Sequence, residues 1–295
     1  MTPQKKATII SSSVAAILTL IKLVLGVLSG SVAVLASAID SILDMFVSIF
    51  NYFAILNSEK PADKNFNYGR GKIEALALVI EGTIITISGL FLLYQAIKKA
   101  ILNETSQYLD ISIYVMIVSL IITIILVLYL NYVAKKTNSM VIKADALHYK
   151  TDVLSNIAVL VSLVLVQFTN IEIFDVIIGV CIAFYIIYCS FELIKKGILV
   201  LLDASLDSNL VLKIEDIIKN SDRVNAYHLL KTREVSNQTF VEVHLVFDCL
   251  ITLMEAHKIS DKIEREIKVL DKDRDWIINI HMDPYDDFLI NDCKI

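Results

Sequence analysis

Along the first two-thirds of the chain, apolar residues run in long stretches almost free of charge. Along the last third they alternate with charged residues. Residues 7–21, 23–39, 45–58, 82–97, 111–134, 153–171 and 176–191 contain no Asp, Glu, Lys or Arg. A helix that crosses a bilayer needs about 20 mostly apolar residues. Joined through tolerated polar positions, the runs predict six spans, near 8–29, 32–57, 73–97, 109–134, 142–168 and 173–200, with a tight turn at Ser29-Gly30-Ser31. The first span is too long for a cleaved signal peptide and leads straight into the next apolar run. Eleven Lys and Arg residues of the predicted loops, from Lys5 to Lys196, gather on one side, against Lys98 and Lys99 on the other. That bias places both termini in the cytoplasm of a multi-pass protein of the cell's inner (plasma) membrane.

The tail changes period. Residues 207–220 read as a helix, capped by Asp207 or Ser208. Residues 224–235 and 239–249 alternate as strands, with Asn237-Gln238 at the turn. Phe240, Glu242, His244 and Val246 share one face of the second strand, and Val241, Val243, Leu245 and Phe247 the other. Residues 252–270 read as a second helix and 276–281 as a third strand. The order αββαβ suggests a small α+β domain of the ferredoxin-like kind with its split motif trimmed. The fold class is therefore an α-helical six-span transmembrane domain, residues 1–202, followed by a small cytoplasmic domain, residues 203–295.

Charge sharpens this division. Residues 1–202 hold 15 Lys/Arg and 13 Asp/Glu, net +2, whereas residues 203–295 hold 12 and 19, net −7. An acidic tail and a near-neutral membrane part give no footprint for nucleic acid. Cys181, Cys189, Cys249 and Cys293 form no CxxC pair and read as reduced thiols.

Chemistry is expected where charge lies inside lipid, because an ionisable residue there is costly. Asp40 and Asp44 are one helical turn apart in the second span, and so are His148 and Asp152 in the fifth. Facing each other, three carboxylates and one imidazole make a four-ligand set able to close tetrahedrally on a divalent ion. Asp145, near the cytoplasmic end of its span, reads as a cap or salt-bridge partner. Glu74 and Glu81 read as lining an aqueous approach, and Lys22 and Lys150 as snorkelling or paired. In the tail, four of the five histidines fall within 54 residues. His228 and His244 lie on adjacent predicted strands, His281 and Asp283 share a strand face, and His257 sits on the second helix. Imidazole with carboxylate is a donor set that zinc accepts.

The pairs Asp40-Ser-Ile-Leu-Asp44 and His148-Tyr-Lys-Thr-Asp152 resemble the intramembrane metal quartet of the cation diffusion facilitator family, in particular its bacterial zinc and ferrous-iron efflux branch. The segments Tyr68 to Glu74, Lys143 to His148 and His281-Met282-Asp283-Pro284 resemble further motifs of that family. The resemblance implies that Asp40, Asp44, His148 and Asp152 form the transport site, and that an ion leaves in exchange for inward protons. It implies a homodimer whose cytoplasmic domains dock through a binuclear site using His228, His244, His257, His281 and Asp283, with a charge lock between Lys72 and Asp203. Related bacterial pumps hold a further metal in the loop from Asp63 to Tyr68; here Phe66 and Arg70 stand where they carry histidines.

The function expected is therefore a proton-coupled antiporter, not an enzyme. It would export a divalent transition-metal cation, Zn(II) first, with Cd(II), Fe(II) and Co(II) also suited to one imidazole and three carboxylates. Zn(II) is also the expected ligand of the tail cluster. Its partners are metal cations, protons, the lipid bilayer and a second copy of itself. The rival class is a metal-sensing membrane receptor or channel with a cytoplasmic sensor domain.

Overall fold

The computed structural model describes residues 2–29, 32–102, 110–169, 173–272 and 274–286. They divide into two compact units, Met1–Ile198 and Leu199–Ile295.

The first unit is built from long helices: α1 (Pro3–Ser29), α2 (Val32–Ser58), α3 (Lys72–Leu102), α4 (Asp110–Thr137), α5 (Met140–Thr169) and α6 (Ile173–Leu201), whose last residues enter the second unit. Among the described residues, five segments are long and apolar enough to cross a membrane: Pro3–Leu25, Ser41–Ser58, Lys72–Lys98, Ile117–Thr137 and Val176–Leu201. In α5, Lys143, Asp145, Lys150 and Asp152 lie in the first half, and residues 153–169 carry no charge.

The bundle is turned inside out relative to a soluble protein. Its outer surface is apolar, with Leu20, Phe46, Phe91, Tyr94, Leu128 and Tyr188 all more than half exposed. Its interior holds Ser11, Ser48, Asn51, Glu81, Asp145 and Ser190, each at most 1% exposed. Such an arrangement suits lipid, which solvates apolar side chains and gives polar ones no partner. Small residues let the backbones approach. A Cβ on Gly82 of α3 would lie 2.7 Å from Ile194 of α6, and one on Gly197 of α6 would lie 2.8 Å from the Ala75 carbonyl of α3. Helix α5 serves two clusters, giving Val141, Ile142, Ala146 and Tyr149 to one with α1, α2, α3 and α4, and Ala144 to another with α3 and α6.

The second unit contains α7 (Ser208–Lys219), β1 (Ala226–Val235), β2 (Gln238–Val246), α8 (Leu253–Leu270) and β3 (Asp275–Asp283). Strand β2 is central, antiparallel to β1 and parallel to β3. The unit β2-α8-β3 is thus closed, with no strand between its two parallel members. Val241, Val243 and Leu245 of β2 pack with Ile214 and Ile218 of α7 and Ile263 and Ile267 of α8, all at most 1% exposed. Asp207 caps α7 by accepting from the Asn209 N–H at 2.9 Å. Thr252 and Glu255 form a reciprocal capping box at the start of α8. The hairpin turn is Ser236-Asn237 rather than Asn237-Gln238, because Gln238 already pairs with Val235.

Strand β1 carries a bulge. His228 pairs with His244 and Lys231 with Glu242, so β1 spends three steps where β2 spends two. Leu229 takes a left-handed backbone, φ 51°. This extra residue flips the face parity of everything before it. Tyr227 and Leu230 both pack against the core, and His228 is released to the opposite face.

Candidate metal centres

Helix α2 turns one stripe inward at three- and four-residue spacing: Ser41, Asp44, Val47, Ser48, Asn51, Ala54 and Ile55. Helix α5 answers with Asp145, His148, Tyr149, Thr151 and Asp152. A 2.8 Å hydrogen bond between Ser48 Oγ and Tyr149 Oη fixes the register of the two helices. One turn away, His148 Nε2 lies 3.1 Å from Asp44 Oδ1 and 3.9 Å from Asp152 Oδ2. The donor atoms of these three residues lie within 4.8 Å of one another. A tetrahedral zinc site with bonds near 2.05 Å has ligand-to-ligand edges of about 3.3 Å, so this spacing is already close to what the ion needs.

The imidazole stands at the back, with 6% of its side chain exposed, and the Asp44 and Asp152 carboxylates stand in front at 24% and 35%. All three line a cavity of about 300 Å³ together with Lys22, Ser88 and Asn156. Lys22 Nζ donates to Ser41 Oγ at 2.8 Å. Asp40 lies on α2 one turn before Asp44; its side chain falls outside the described residues.

The second cluster is set by strand register. His228, His244 and His281 are direct neighbours across β1, β2 and β3. Their rings lie 5.0 Å apart for the first pair and 4.5 Å for the second. Asp283, at the end of β3 and 4% exposed, serves all three. Its Oδ2 lies 3.0 Å from His244 Nδ1 and 3.4 Å from His228 Nε2, and its Oδ1 lies 3.0 Å from His281 Nε2. His228, His244 and Asp283 bring one donor atom each within 4.8 Å of one another. His257 is not brought to this cluster. It stands 62% exposed on α8, with Nε2 3.8 Å from Asp261 of its own helix.

Several expectations change. Asp145 is neither a cap nor an ion-pair end. It is fully buried and accepts from the Asn51 amide. Glu74 and Glu81 do not face an aqueous path, being 6% and 1% exposed. Glu74 instead accepts from Ser58 Oγ at 3.2 Å and from the Met140 N–H at 3.4 Å, tying the ends of α2, α3 and α5. Sequence reasoning overlooked Asn51 and Tyr149, although both lie on the same helix stripes as the Asp and His pairs. Lys72 and Asp203 belong to different units, and within its own unit Asp203 accepts from Arg233 at 3.1 Å. In the loop after α2, Asp63 accepts from the Asn65 and Phe66 N–H groups at 2.9 and 3.0 Å and pairs with Arg70, whose guanidinium lies 4.3 Å from the Phe66 ring centre. Those donors, the Asn65 amide foremost, hold the Asp63 carboxyl below its usual range. A cation of the chain itself thus occupies this loop. Cys181, Cys189 and Cys249 are unpaired, and Cys293 lies outside the described residues.

A bundle of apolar helices joined to a small αββαβ unit defines a polytopic membrane protein, and each unit holds a group of side chains able to bind a metal cation. Comparison with known proteins gives the family. Residues 8–202 match the cation efflux transmembrane domain, and residues 206–285 match the cytoplasmic domain of cation efflux proteins. The chain is 37% identical over 275 residues to the cation-efflux pump FieF of Shewanella oneidensis, covering 92% of each chain. It is 32% identical over 280 residues to FieF of Serratia proteamaculans, and 35% identical over 281 residues to protein p34 of Rickettsia prowazekii, with 95% of this chain and 92% of the relative covered in both. The chain belongs to the cation efflux family, the cation diffusion facilitators, whose members are transporters and not enzymes.

Proposed function

We propose that this protein is a proton-coupled antiporter that exports a divalent transition-metal cation, Zn(II) first, from the cytoplasm across the inner membrane. The observation that carries the reading is the meeting of Asp44, His148 and Asp152, from two helices, in one cavity within the bundle. Asp40, one turn from Asp44, is the fourth ligand. One imidazole among carboxylates favours Zn(II), with Cd(II), Fe(II) and Co(II) as further cargo. The names of the FieF relatives, cation-efflux pumps, agree with this direction of transport.

The mechanism follows from the donors. Facing the cytoplasm, deprotonated carboxylates and a neutral imidazole take the ion. Facing outward, protons compete for the same donors and weaken the hold on it. A proton gradient thereby gives transport its direction, and His148, whose side-chain type titrates near neutral pH, is the switch. Helix α5, at 30 residues, is long enough to be the sixth span despite its charged first half. The tail is a trimmed ferredoxin-like domain in the cytoplasm, beside both termini. There it joins two copies of the chain through metal held by His228, His244, His281 and Asp283, with Lys72 locking to Asp203.

Uptake of Zn(II), Cd(II), Fe(II), Co(II) and Mn(II) into proteoliposomes under an imposed pH gradient tests this reading. Zinc should move fastest, and dissipating the gradient should stop net accumulation. Metal flux indifferent to the gradient would contradict the antiport mechanism.

A further inference from the structure

The metal ligands leave two buried carboxyl groups unexplained. Glu81 on α3 is 1% exposed and Asp145 on α5 is 0% exposed, and Asn51 of α2, also 0% exposed, lies between them. The Asn51 amide nitrogen donates to Glu81 Oε2 at 3.2 Å and to Asp145 Oδ1 at 3.3 Å. Both of its N–H groups are then used. Glu81 Oε1, Asp145 Oδ2 and Asn51 Oδ1 are buried without a hydrogen-bond partner among the described residues. Three helices therefore bring together five acceptor oxygens and two donors.

Burial disfavours ionisation of each carboxyl, and two like charges across one neutral amide disfavour it further. A proton on one carboxyl relieves both problems. It removes a charge, and it supplies the O–H donor that the remaining oxygens lack. A metal ion fits less well. The amide already sits between the carboxyls at hydrogen-bond range, and none of the three residues lines the cavity beside His148. The groups that face the pair are the Ser11 hydroxyl from α1, Asp44 from α2, and His148 and Tyr149 from α5. Ser11 itself donates to the Thr8 carbonyl at 3.1 Å.

We propose that Glu81 and Asp145 share one proton across the Asn51 amide and form a proton-carrying site of the transporter, separate from the residues that hold the metal. Asp145 lies one turn from His148 on the same helix, so a dication arriving beside His148 favours the fully ionised pair. The O–H bond then breaks and the proton leaves to water. When the metal departs, the pair takes a proton back. No other bond changes. This deepens the antiport reading and rests on it for the proton's role in transport.

The test uses the full-length chain in lipid, with Zn(II) as the probe. Infrared difference spectra between metal-free and zinc-loaded protein are recorded for wild type, Glu81→Gln and Asp145→Asn. The expected result is a carboxylic-acid carbonyl band in metal-free wild type that vanishes with zinc and is missing from Glu81→Gln. Proton release per zinc bound should fall by about one in that variant, with membrane insertion and a wild-type circular dichroism spectrum as the check on folding. Asp145→Asn repeats the test if Glu81→Gln does not fold. A wild-type band that survives in both variants, or a metal-free wild type with no such band, overturns the proposal. The antiport reading fails separately: zinc-driven proton release that depends on Glu81, together with flux indifferent to the pH gradient, would leave the shared proton standing and remove its part in transport.

Discussion

The two donor groups are made of similar residues on opposite kinds of scaffold. Inside the bundle, one imidazole meets carboxylates through the one-turn spacing of helices, and two of those carboxylates open onto a cavity. On the tail, three imidazoles share one nearly buried carboxylate through strand register. On the proposed reading the first must let its ion go, and the second must keep it. Carboxylates that protons can reach, on helices able to move, suit release. Imidazoles fixed on three paired strands of a sheet with its own core suit retention.

The comparison is broken most sharply inside the membrane. Asp44→Ala should weaken zinc binding at the intramembrane group by more than the roughly 10- to 100-fold that loss of an outer-shell partner costs, read by calorimetric titration, and leave the tail's response to zinc unchanged. A parallel loss at both groups would show that they are not independent. His148→Asp should convert the bundle group to oxygen donors alone and shift relative transport rates from Zn(II) toward Mn(II). Unchanged ratios across a metal panel would remove His148 from selectivity.

The tail has its own reporter. Trp276 is the only tryptophan of the chain and lies in the tail core, 8% exposed. Thermal unfolding followed by its fluorescence should shift upward with zinc, by about 2.7 kcal/mol at 100 times the dissociation constant. Changing His244 and His281 together to Ala should abolish that shift. An equal shift in the double variant would return these histidines to an ordinary surface role.

The bulge refines the contrast. Leu229→Gly relieves a left-handed leucine, an unfavourable backbone by about 1 kcal/mol, and should keep the zinc shift. Deleting Leu229 leaves two steps from His228 to Lys231, as from His244 to Glu242, so His228 keeps its face and the zinc shift should survive; its loss would show that the bulge itself shapes the cluster. The smallest effect concerns the loop after α2. The Asp63 carboxyl titrates below its usual range, so its contribution is present above the ordinary aspartate pKa and is lost as pH falls through the lowered value. Arg70→Gln should move the carbon-13 titration midpoint of that carboxyl upward, and an unmoved midpoint would show that Arg70 plays no part.

How legible these features were in the sequence follows from the same physics. Helical spacing is rigid, so the pairs at Asp44, His148 and Asp152 stood out from sequence alone. So did the αββαβ order and the two faces of β2. The fate of Asp145 was not legible, because whether a polar group near a helix end is buried depends on Asn51, which lies 94 residues earlier. Nor was the face of His228. Strict alternation puts His228, Leu230 and Thr232 together, and nothing in Leu229 announces a left-handed residue. Asp283 lay two residues beyond the predicted end of its strand, and pairing with Val246 carries β3 that far.

The most direct measurement is zinc flux into proteoliposomes at saturating metal, comparing Asp152→Ala with the His244→Ala and His281→Ala double variant, both checked for insertion. Asp152→Ala should be inactive while the double variant still moves zinc. Near-normal flux by Asp152→Ala would contradict the assignment of the transport site to the group inside the bundle.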